Sequence, residues 1–136
     1  MRSLIRLGAC LMLAASASAC SPEHETKANI PDEDPGPFRG VVSGVFVYGH
    51  EVRSFQPCGT HRVLWVQGSE RLMTALRESH HVLTSESYEE VFVKLRGEEL
   101  PKQDDGFAAD YDGIWVVEEV LKIHKRTEHD CEKTSH

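Results

Sequence analysis

Basic side chains are scarce in this chain. Fifteen lysines and arginines stand against 22 aspartates and glutamates in 136 residues, a formal net charge of -7. Nucleic-acid affinity comes largely from Lys and Arg neutralising phosphates, so this balance argues for no nucleic-acid partner. It also disfavours an anionic lipid surface as an electrostatic partner. The familiar catalytic signatures are missing as well. There is no phosphate-cradling glycine loop and no HExxH, and Gly40-Val41-Val42-Ser43-Gly44 places its serine one position too late for a GxSxG nucleophile elbow. No nucleophile, base and orienting group recur in a plausible local arrangement, so a non-enzymatic protein is expected. The length leaves no room for two sizeable domains. Cysteines number only four and none stand in a CxxC.

What is present begins with an export signal. Met1-Arg2-Ser3-Leu4-Ile5-Arg6 is a basic segment, and Leu7 to Ala15 is an apolar run too short to span a bilayer. Small residues follow, and Ala17-Ser18-Ala19-Cys20 resembles a bacterial lipobox, in which the cysteine is lipidated and becomes the new N-terminus. Residues 1–19 are therefore expected to be removed and Cys20 to carry covalent lipid, with no other cofactor implied. More than one acyl chain on that cysteine would give the stable anchoring that a single chain does not. Ser21 after the cysteine favours the outer membrane by resemblance to the usual sorting rule, with the domain facing the periplasm. Loss of Arg2 and Arg6 leaves 13 basic against the same 22 acidic residues, a net charge of -9. Residues 20–37 hold Pro22, Pro31, Pro35 and Pro37 among acids and almost nothing large and apolar, and read as a lipidated, acidic, proline-rich tether.

From Phe38 the pattern becomes that of short strands. Val41, Val42, Val45, Phe46, Val47 and Tyr48 put apolar groups on both faces of one long segment interrupted by Gly44, where a bend is cheapest. Turns at Gly49-His50 and at Gln56-Pro57-Cys58-Gly59-Thr60 precede a short strand over Val63 to Val66. Ser69 is a suitable N-cap for a helix of roughly three turns, with Leu72, Met73, Leu76 and His80 at helical spacing. Tyr88 to Arg96 alternates as a half-buried strand with Val91, Val93 and Leu95 on one side. Gly97 to Gly113 reads as a long polar connection. Ile114 to Ile123 is the last strand, with Trp115, Val117, Leu121 and Ile123 in phase and Glu119 breaking it as a bulge or edge would. Three strands, a helix and two strands in this order indicate a mostly β domain over 38–131, an OB-fold-like five-stranded barrel with one helix between the third and fourth strands, followed by a tail at 132–136.

Several constellations bear on function. With Cys10 in the signal and Cys20 lipidated, Cys58 and Cys131 remain, and an isolated pair in an oxidising envelope is most simply one disulfide. Its role is structural or redox-sensing. The same cysteines stand near His61 and His129, so Cys58, His61, His129 and Cys131 form an alternative zinc or Cu(I) set, although their spacing matches no strong metal signature. The acids around Gly106 and Gly113 lack calcium-loop spacing and read as turns. OB-folds often bind on their second and third strands, where Arg53, Phe55, Arg62 and Trp65 stand as a possible binding face for a glycan or protein.

Gly44 to Tyr48, Phe55-Gln56-Pro57-Cys58-Gly59, Val91 to Gly97 and a cysteine after the last strand together resemble the C-terminal OB domain of NlpE-type outer-membrane lipoproteins. The resemblance covers about two thirds of the chain. It implies an envelope lipoprotein linked to stress sensing and pairs Cys58 with Cys131. Copper binding in that family is usually attributed to a CxxC-bearing domain that this sequence does not show, so copper handling does not follow from the likeness. The expected function is thus a non-enzymatic envelope lipoprotein with a binding or stress-sensing domain, held to the membrane by its lipid and engaging an envelope protein or a glycan. A periplasmic copper or zinc binder is the alternative.

Overall fold

A computed structural model describes residues 36–132. The expected signal at 1–19, the expected lipidation site Cys20 and nearly all of the expected tether lie outside them, as does the tail beyond Glu132. The described chain runs β1 (Arg39–Gly49), β2 (Val52–Pro57), β3 (Leu64–Gln67), α1 (Glu70–Leu83), β4 (Glu90–Pro101), a short 3-10 turn (Phe107–Asp110) and β5 (Gly113–Lys125). The strands close into a barrel in the order β1-β2-β3-β5-β4, with only the β3–β5 pair parallel. This is the OB-like architecture expected from the element order.

Closure depends on β1 serving two neighbours. Its residues 39–47 pair with β4, and 44–49 pair with β2. Gly44 stands where the two pairings overlap, and a Cβ there would collide with the Gln56 backbone and the Phe55 ring. Glycine is therefore needed here for the close approach of β2. Phe46, Phe55 and Leu64 are direct partners across three strands and all are fully buried. With Val66, Val91, Val93, Leu95, Trp115 and Val117 they fill the barrel. Trp115 Nε1 is buried without a hydrogen-bond partner among the described residues, so this side chain contributes its volume rather than its N–H.

The helix caps follow from local chemistry. Ser69 Oγ accepts from the Leu72 N–H at 3.3 Å, and Thr84 donates both its N–H and its hydroxyl to the His80 carbonyl. Leu76 enters the barrel core, and Leu72, Met73 and Leu83 pack against it. At 14 residues the helix is nearly a turn longer than its sequence indicated.

Two expectations need correction at the β4–β5 pair. The strand expected to end at Arg96 continues to Pro101, so the connection is shorter than the span from Gly97 to Gly113. Continuation is possible because Gly97 lets the strands approach; a Cβ would meet the Val116 carbonyl. The phase of β5 also differs. The register shifts skip Glu118 and Leu121, and each skip reverses the alternation. Trp115, Val117, Val120 and Ile123 consequently contact the core, whereas Leu121 is exposed. Glu119 marked the irregularity, but the two bulges lie on either side of it.

Candidate functional site

A cleft of about 740 Å³ opens between the β1–β2 hairpin, β3, the C-terminal half of α1 and Phe107. Its volume is in the range of small-molecule sites. A smaller hollow of about 350 Å³ adjoins it beneath the start of α1, and Tyr48, Arg53 and Arg77 border both.

The aromatic wall is built around Trp65. Its indole packs on Ile114 and Ala108, outside the barrel core. Phe107 stacks on it at 6.3 Å between ring centroids, and Tyr111 meets it edge-on at 5.2 Å. The Arg53 guanidinium lies 5.7 Å above the same indole, a cation–π arrangement. Burial pushes the Tyr111 phenol up, partly offset by the Arg53 backbone, so it stays neutral as a hydrogen-bonding group. Phe107 remains 55% exposed at the rim. The 3-10 turn that carries it is fastened to β3 by Asp112, whose N–H donates to the Val63 carbonyl while its carboxylate accepts from the Val63 N–H.

The opposite wall is tied down through Tyr88. Its N–H donates to the Tyr48 carbonyl and its hydroxyl to the His50 carbonyl, and its ring covers Gly49. His80 is 2% exposed, with Nε2 at 2.7 Å from the Glu89 carbonyl and its ring edge-on to Phe46. Helix, hairpin and following loop are thus joined behind the cleft. Neither Arg53 nor Arg77 forms an ion pair with a described carboxylate.

Of the four residues placed on the binding face from sequence, Arg53 and Trp65 do meet in the cleft. Phe55 does not: it is fully buried and packs on Trp115 at 5.4 Å, because its cross-strand partners Phe46 and Leu64 both point inward. Arg62 is also displaced from that role. Its guanidinium pairs with both oxygens of Glu99, and Glu99 Oε2 accepts from the Phe38 N–H as well. With side-chain exposures of 16% and 3%, this pair fastens the start of β1 to β3 and β4.

Cys58 and Cys131 are joined in a disulfide, with Cα atoms 4.9 Å apart. Both sulfurs of the alternative metal set are therefore committed to each other. His61 is exposed, and His129 faces Glu128 and Glu132. The described residues contain no group of three or more His, Cys, Asp or Glu side chains placed to hold a metal ion.

Sequence reasoning missed Arg77, Phe107 and Tyr111. Arg77 lies on the polar face of α1, where an arginine carries no signal. Phe107 was the better clue, a large apolar residue between Asp105-Gly106 and Asp110 in an otherwise polar stretch. No protein-family model, no curated protein and no solved structure matches this chain.

Proposed function

We propose that the protein is a non-enzymatic bacterial envelope lipoprotein, anchored through lipid on Cys20, whose OB-like barrel is a binding or stress-sensing module. It engages an envelope partner through the Trp65 cleft. The observation that carries this reading is the coincidence of Arg53 on β2, Trp65 on β3, the β1–β2 hairpin and the β4–β5 connection at one cleft. These are the strands and loops that OB-folds use for ligands. The anchor rests on the lipobox, and the sensing role on the likeness to NlpE-type lipoproteins.

A photo-crosslinking amino acid at Phe107 of the full chain tests the reading in intact envelopes. A discrete adduct is expected from Phe107 and none from an exposed position away from the cleft, such as Lys94. Equal labelling at both positions, or no adduct at Phe107, would remove the case for a binding module. Mass spectrometry of the membrane-extracted protein tests the anchor: an acylated Cys20 at the N-terminus is expected, and an unmodified one contradicts it.

A further inference from the structure

Resting on that binding reading, we infer that the ligand is an acidic glycan, with a sugar ring on the Phe107 and Trp65 wall and its carboxylate between Arg53 and Arg77. Two arginines line the same cleft without a carboxylate partner, in a chain where acids outnumber bases. Arg62, by contrast, is consumed by Glu99. Both arginines border the same hollow, which Glu70 also borders, and a guanidinium fork matches a carboxylate in both charge and geometry.

The rest of the cleft narrows the ligand class. Glu51, Glu78 and Glu86 also border it and Glu70 borders the adjoining hollow, so a continuous polyanion would meet more repulsion than a single carboxylate held at the arginines. Phe107 offers an exposed apolar ring, suited to the C–H face of a sugar. Tyr48, Thr84 and Ser87 supply hydroxyls, and Tyr111 a neutral phenol behind the wall. An extended peptide is the weaker fit, because the closed barrel leaves no free strand edge for main-chain pairing. The carboxylate could belong to a uronic acid of a polysaccharide or to the lactyl group of a muramic-acid sugar; the recognition chemistry is shared.

The full chain in detergent micelles is titrated, by Trp fluorescence and calorimetry, with four probes. These are a glucuronic acid–N-acetylglucosamine tetrasaccharide, an N-acetylmuramic acid–N-acetylglucosamine disaccharide, a neutral N-acetylglucosamine tetramer, and a peptide of residues 21–37. At least one acidic sugar is expected to bind ten-fold or more tightly than the neutral one, and the tighter of the two identifies the source. Arg77→Gln is expected to reduce that preference about ten-fold, and Phe107→Ala to weaken both acidic and neutral sugars. Both positions are exposed, so the variants keep the fold. Equal binding of acidic and neutral sugars, or binding of the peptide alone, overturns the acidic-glycan assignment. If no sugar binds while the Phe107 crosslink still captures a protein, this inference fails and the binding reading stands. If both experiments are blank, both fail.

Discussion

The protein has two tryptophans, and they sit in two apolar clusters that differ in what surrounds them. Trp115 lies inside the barrel, fully buried among aliphatic and phenylalanine side chains contributed by every strand. Trp65 lies outside it, against Ala108 and Ile114, with Phe107 on one side and a guanidinium above. The inner cluster presents nothing to solvent and can only stabilise. The outer cluster leaves an aromatic rim and two arginines facing a cleft. Stability and the proposed recognition therefore fall to different groups of residues, and substitutions should separate them.

The largest effect is expected inside. Phe55→Ala removes a ring packed between Phe46, Leu64 and Trp115 and should cost about 3–5 kcal/mol, measured by urea or guanidinium unfolding. A loss below about 1 kcal/mol would mean that the inner cluster is not the source of stability. Next comes the bond that closes the chain over 73 residues. Replacing both Cys58 and Cys131 by serine should cost about 2–4 kcal/mol, because the open chain regains conformational freedom when unfolded. The intact protein should also run faster on non-reducing than on reducing electrophoresis.

A smaller, pH-dependent effect is expected beside Cys131. Desolvation pushes the Asp130 carboxyl up, but the Thr127 N–H and hydroxyl, His124 and Lys122 outweigh it and hold the group below the usual carboxylate range. A depressed folded-state pKa gives stability that is present above the unfolded value and is lost as pH falls through the folded one. Wild type should therefore exceed Asp130→Asn in Tm near neutrality, with the gap closing in strong acid. A gap independent of pH would show that the carboxylate charge is not what holds this turn. The smallest effect belongs to the outer rim: Phe107→Ala should change unfolding stability by no more than about 0.5 kcal/mol. A loss as large as that of Phe55→Ala would erase the distinction between the clusters.

Local signals in the sequence carried much of the fold. Ser69 announces the helix because a side-chain acceptor before an apolar periodicity has few other uses. Alternation in β4 places Val91, Val93 and Leu95 inward, as observed. Alternation failed for Leu121, because two bulges reverse the phase of β5 and a bulge is defined by the partner strand. It also could not say that Phe55 faces the barrel interior while Arg53, two residues earlier, borders the cleft. Arg62 reads as a binding residue from its local sequence, but Glu99, 37 positions away, holds it.

The sequence by itself determined the order of strands and helix, the cap at Ser69 and the acidity of the chain. These follow from composition and from rules that act over a few residues. Only the tertiary structure decided that the barrel closes, that β5 changes face twice, and that Arg53, Trp65, Arg77 and Phe107 share one cleft. Those four residues come from β2, β3, α1 and the β4–β5 connection, and no periodicity spans such separations. Their meeting is set by strand register and barrel closure, which depend on contacts between distant segments.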